Sequence, residues 1–149
     1  MPIVVARTFT VSAPAPAVLD YFADFGHTEE WDPATRRITR NDAGPIVVGS
    51  SWHSESKVLG VSTSLTYTLC AAESDRLVFI GRNEGATSTD TITVRPVEVG
   101  AEVTYHVDLE MHGVAKLATP FMKIELEKLG SDSVARLTGA LNRLASQAL

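Results

Sequence analysis

A helical pattern runs through the C-terminal part of the chain, Val114 to Leu149, after an unbroken series of strand patterns. A lone long helix has to bury its apolar side, and its only large partner here is the sheet those strands form. One helix laid across a curved antiparallel sheet leaves space between the two. Such a chain suits a container better than a rigid active-site scaffold.

The strands are legible from alternation. Ile3–Val11 is rich in β-branched residues. Ser12 is an N-cap for a short helix bearing Val18, Leu19, Phe22 and Phe25, with Pro14 and Pro16 in its first turn and Gly26 as its stop. One more turn fits within His27–Asp32 before Pro33 breaks it. Strands are then expected at Arg36–Asp42, Gly49–Val58, Val61–Glu73, Leu77–Glu84, Thr87–Pro96 and Glu102–Met111. The turns between them fall at Ala43-Gly44-Pro45, Leu59-Gly60, Ser74-Asp75, Glu84-Gly85 and Val99-Gly100. In the last strand Val103, Tyr105, Val107, Leu109 and Met111 alternate with polar residues, so one face is buried and one is wet. Short connections favour an antiparallel meander.

The helix is not uniform. Met122, Leu126, Leu137, Leu141 and Leu144 share one stripe with Val134 at its edge, while Leu117, Phe121 and Ile124 lie nearly opposite. Its first half is therefore apolar on two sides. Pro120 marks either the true start, after Thr119, or a kink, and Gly130-Ser131 is a second possible bend.

Composition narrows the function classes. The 149 residues suffice for one domain with a sizeable core, and residues 1–149 are read as one. A net charge of −5, with cations clustered only at Arg36, Arg37 and Arg40, argues against a nucleic-acid partner. No stretch is long and apolar enough to span a membrane, and the N-terminus lacks a signal-peptide pattern. The lone cysteine, Cys70, excludes an internal disulfide and is expected as a buried small hydrophobe; a cytoplasmic location fits.

Several local features are shared with one known group. They are Trp31-Asp32-Pro33, Gly49-Ser50-Ser51-Trp52, Leu59-Gly60, Asp90-Thr91-Ile92-Thr93-Val94-Arg95-Pro96, Glu102-Val103-Thr104-Tyr105, and Gly113 before the helix. In these features and in element order the whole chain resembles the START/Bet v 1-like (SRPBCC) superfamily, in its bacterial polyketide cyclase/dehydrase branch. The resemblance implies an α+β helix-grip fold: a seven-stranded antiparallel sheet around a long C-terminal helix, two short helices after the first strand, and an internal cavity. It also implies binding or processing of lipids, sterols or polyketides. Because the group has no universal catalytic motif, residue assignments rest on strand parity.

The Gly44–Gly49 spacing lacks the lysine and following helix of a phosphate loop. His27 and Glu30 have no third ligand nearby, so neither a metal nor a cofactor is expected. His106 and His112 share the wet parity of the last strand. Asp90 shares the side of Ile92 and Val94, and either faces the cavity with a raised pKa, or sits at the strand's wet end or pairs with an arginine. Arg82 lies on a strand whose inward side the pattern leaves open. The charged set His53, Glu55 and Lys57 turns Trp52, Ser54 and Ser56 inward. Tyr67 and Tyr105 bring hydroxyls to apolar faces, where they line a cavity or bond a neighbouring strand. Trp31 either closes one end of the cavity or caps the core. The expected ligand-binding set is Trp31, Trp52, Ser54, Leu65, Tyr67, Asp90, Ile92, Tyr105, Val107, Phe121 and Met122, with Asp90, Tyr67 and Tyr105 as candidate catalytic groups.

Binding or transport of a hydrophobic, partly oxygenated small molecule is the leading expectation. A polyketide cyclase, aromatase or dehydrase type of enzyme is the alternative. A third reading is a regulatory interaction module that docks through Leu117–Leu129. The chain is expected as a monomer or homodimer.

Overall fold

The computed structural model describes residues 2–147. Strand β1, Ile3–Val11, leads to helix α1, Ala15–Ala23. A 3-10 turn at Phe25–His27 and the single-turn helix α2, Thr28–Trp31, follow. Then come β2 (Thr35–Arg40), β3 (Ser51–Val58), β4 (Val61–Ala72), β5 (Arg76–Arg82), β6 (Ala86–Pro96) and β7 (Ala101–Met111). A 3-10 segment, Gly113–Ala118, runs into helix α3, Thr119–Gln147. The expected end of the helix at Leu149 lies outside the described residues.

The seven strands form one antiparallel sheet in the order β1-β7-β6-β5-β4-β3-β2. Strands β2 to β7 are sequential neighbours, joined by short turns except for the loop 41–50 between β2 and β3, while the helical segment after β1 carries the chain from one sheet edge to the other. The β3–β4 hairpin closes on Leu59 and Gly60, whose φ values of +54° and +77° suit a two-residue turn that follows strand twist. At the β6–β7 turn, Gly100 has φ +95°, and a Cβ there would stand 1.9 Å from the Val11 carbonyl oxygen. Only glycine fits where this turn passes the end of β1.

The concave face of the sheet is covered in two halves. Against one half, α1, the 3-10 turn and α2 deliver Phe22, Phe25 and Trp31 onto Trp52, Phe79 and Tyr105. The C-terminal part of α3 completes this core with Leu137, Ala140 and Leu141. Against the other half, the first part of α3 brings Met122 and Leu126 toward a smaller cluster of Ile3, Val5 and Leu109. Two ties fix α3 along β1. Arg7 bonds the Glu127 carboxylate at 2.9 Å, and Asn142 Oδ1 accepts from the Ser12 amide and hydroxyl. Gly130 allows the close approach between them, since a Cβ there would meet Val5 Cγ1 at 3.1 Å.

Four local expectations need correction. Ser12 does not cap α1; Pro14 occupies that position and Ser12 is taken by Asn142. The helix ends at Ala23, where Asp24 turns back to accept the Gly26 amide. Cys70 is exposed, because it shares the outward parity of Thr66 and Thr68, where the β4–β5 register slips between Leu69 and Ala71. His106 and His112 are partly buried, and His112 Nε2 lies 2.9 Å from the Thr87 hydroxyl. Pro120 sits in the first turn of α3, the first of its two expected positions, but Thr119 already has helical backbone and continues the 3-10 segment.

Candidate functional site

Antiparallel pairing brings the inward residues of five strands into rows. Trp52 pairs with Tyr67, Tyr67 with Gly81, Gly81 with Ser88, and Ser88 with Leu109. One row along, Phe79 pairs with Asp90 and Asp90 with Val107; the next joins Ile92 to Tyr105. The alternation seen in the sequence therefore places Tyr67, Ser88, Asp90 and Tyr105 on one concave surface. Gly81 is what lets the Tyr67 ring lie across β5, since a Cβ at that position would be 2.6 Å from the ring.

Between this surface and the first half of α3 is a cavity of about 420 Å³. Its walls are mainly apolar, from Leu65, Val107 and Leu109 on the sheet to Met122, Leu126 and Leu137 on the helix. At the deep end stand Trp31, Asp90 and Tyr105, all buried. At the other end the lining residues are exposed: Leu59 and Val61 at the β3–β4 turn and Asn83 at the β5–β6 turn, opposite Ala115 and Ala118 of the 3-10 segment. This end is the mouth.

The deep end carries a polar cluster. Asp90 accepts from the Tyr105 hydroxyl at 2.7 Å and from the Ser88 hydroxyl at 2.8 Å. Burial penalises its charge more than those bonds favour it, and with Asp32 nearby its pKa is pushed up to about 6, against a smaller opposing pull from His106. Asp32 lines the same cavity and is also shifted up by burial, although the Ala34 amide, the Thr35 hydroxyl and the charge of Arg136 favour its ionised form. Burial and the Asp90 carboxylate hold the Tyr67 and Tyr105 phenols well above the ordinary tyrosine range.

Of the residues expected around a ligand, Trp31, Leu65, Tyr67, Asp90, Tyr105, Val107 and Met122 line this cavity. Trp52, Ser54 and Ile92 do not. They face the right side of the sheet but are sealed in the core, where α1 and the 3-10 turn fill the concavity. Phe121 is 64 % exposed and lies on the outer side of α3, in a stripe with Val114, Leu117 and Ile124. Asp32, Ser88 and Arg7 were not singled out by the sequence. Ser88 has the same parity as Asp90 and was findable; Asp32 lies in a loop, where parity says nothing. Arg82 is exposed, because Leu77, Phe79 and Gly81 take the inward side of β5. His27 and Glu30 both serve Tyr21, its carbonyl and hydroxyl respectively. Among the described residues no three potential metal ligands cluster, and no helix is long and apolar enough to cross a membrane.

A seven-stranded antiparallel sheet gripping a long C-terminal helix over a cavity is the helix-grip architecture of START-like proteins. Residues 2–147 match the family described as polyketide cyclase / dehydrase and lipid transport, and the chain belongs to that family. Its fold is similar to that of the ZhuI aromatase/cyclase from Streptomyces sp. R1128, at 14 % identity and a TM-score of 0.80, covering 96 % of this chain and 95 % of that one. A START superfamily protein from Mycobacterium smegmatis aligns at 15 % identity and a TM-score of 0.72, over 98 % and 99 % of the two chains. The di-domain aromatase/cyclase StfQ from the steffimycin pathway aligns at 9 % identity and a TM-score of 0.74, over 98 % of this chain and 53 % of that one. No curated protein matches this sequence.

Proposed function

We propose that the protein binds or transports a hydrophobic, partly oxygenated small molecule, lipid- or polyketide-like, in the cavity between sheet and helix. The observation that carries this reading is the pairing of an apolar cavity of about 420 Å³ with a few convergent polar groups at its deep end. Small-molecule sites have this form, with apolar walls supplying affinity and sparse polar groups fixing orientation. A ligand that binds only the folded state raises the melting temperature. A panel of lipids, sterols and aromatic polyketides is expected to contain at least one compound that does so in a saturable way. A flat response across the panel would count against the reading.

A second reading, a cyclase/dehydrase type of enzyme, is favoured by one observation. Asp90 is buried against the cavity with a pKa near 6, close enough to neutrality to give up and take back a proton, and Tyr105 orients it. Holding a flexible poly-oxygenated chain in one folded geometry would supply much of such a reaction. Turnover abolished in Asp90→Asn with binding retained would support it.

A further inference from the structure

The polar groups around the cavity differ in what they still have to offer, and that difference bears on the ligand's head group. The Tyr105 and Ser88 hydroxyl protons are both committed to Asp90, one to each carboxylate oxygen. A carboxylate has about four lone-pair positions, so those left over are all acceptors. The Asp32 carboxylate is in the same condition, with one oxygen on the Ala34 amide and the other on the Thr35 hydroxyl. Tyr67 differs: its hydroxyl is bound to neither carboxylate and has only the Ser88 hydroxyl, itself turned to Asp90, beside it, so it can donate to a ligand as well as accept.

Positive charge is scarce along these walls. Arg7 lines the cavity, but its guanidinium is held by the Glu127 carboxylate at 2.9 Å, the Glu127 carbonyl at 3.0 Å and the Ser131 hydroxyl at 3.4 Å. Among the described residues no other lysine or arginine lines the cavity. Arg136 acts on Asp32 without reaching the wall. An anionic head at the deep end would therefore meet two carboxylates and no free cation, in a site too dry to screen them.

Resting on the ligand-binding reading above, we infer that the deep end takes the hydroxyl of a neutral amphiphile, an alcohol or phenol, and discriminates against carboxylate-headed molecules of the same skeleton. The hydroxyl donates to the free acceptor positions of Asp90 and accepts from the Tyr67 hydroxyl, completing both. A carboxylate can do neither without placing like charges side by side.

Displacement of the neutral dye Nile red at pH 8 tests this with two matched pairs, 1-decanol against decanoate and 2-naphthol against 2-naphthoate. The alcohol and the phenol are expected to displace the dye at least ~10-fold more tightly than their acids. Asp90→Asn, nearly the same shape without the charge, is expected to narrow the gap to about twofold by improving the acids. Acids that compete equally with their neutral partners in the unaltered protein would overturn the head-group inference alone. If the dye binds and no compound displaces it, or if the dye itself does not bind, the cavity reading fails along with it. The comparison within the unaltered protein stands even if the variant does not fold.

Discussion

Asp90 sits at a conflict that parity could pose but not resolve. The alternation of β6 turned it inward with Ile92 and Val94; whether that meant a wet strand end or a buried wall depended on what the helix covered. In the fold it is 6 % exposed, and its partners are two hydroxyls instead of an arginine. Its carboxyl titrates near 6 when folded and near 3.8 when unfolded, so the native state holds the proton more tightly. The stability tied to this group is therefore complete below pH 3.8 and is lost as pH rises through 6, about 3 kcal/mol in all. Urea unfolding from pH 4 to pH 8 is expected to show this decline in the unaltered protein and a flatter profile in Asp90→Asn. Parallel profiles would contradict it. Gly81 is a second residue with a definite task, since it leaves room for the Tyr67 ring. Gly81→Ala is expected to push that ring off its place and weaken Nile red binding several-fold, with about 1–3 kcal/mol of lost stability from overpacking. Unchanged dye affinity would show that the Tyr67 position does not matter.

At the scale of elements, the long helix bears out the division drawn from its wheel. Leu141 is sealed in the core, Leu137 borders both the core and the cavity, Met122 and Leu126 face the cavity, and Val114, Leu117, Phe121 and Ile124 remain outside. Leu141→Ala is expected to cost about 2–5 kcal/mol, because it leaves a void among rigid neighbours. Phe121→Ser, on the outer stripe, is expected to stay within about 0.5 kcal/mol of the unaltered protein. Equal costs measured by urea denaturation would mean that the helix packs on a different face. The strands were legible for the same reason the helix was: a period-two pattern survives wherever one side is wet. It held even at Cys70, which shares the outward parity of Thr66 and Thr68; the expectation of a buried thiol came from residue type alone, and what the pattern could not show is the bulge after Leu69, since bulges have no period to read. At the β3–β4 turn the sequence marked Leu59-Gly60 correctly, though not that Leu59 takes a left-handed φ at the rim of the cavity.

For the whole molecule, sequence pattern and family resemblance together foretold the sheet, the helix and a space between them. How that space is shared was not legible. Trp52, Ser54 and Ile92 have the parity of lining residues, yet α1 and the 3-10 turn press Phe22 and Phe25 into their half of the concavity. Depth within a folded stack depends on contacts between distant segments, and a strand's own pattern reports only which way a side chain points. The cavity survives in the other half, where α3 approaches β1 closely at Gly130 but opens away toward the turns. The exposed apolar residues Phe121 and Ile124 of the helix follow Val114 and Leu117 of the 3-10 segment, which borders the mouth of the cavity.

Native mass spectrometry of the freshly purified protein, beside a Val107→Trp variant, tests the central claim most directly. Val107 lines the cavity between Asp90 and Val5, and an indole there fills the space a ligand would use. The unaltered chain is expected to carry or take up one small hydrophobic molecule, either co-purified or added from the lipid and polyketide panel, and the folded variant is expected to lose it. A bare chain that takes up nothing from the panel, or a molecule bound equally by both proteins, would contradict the account.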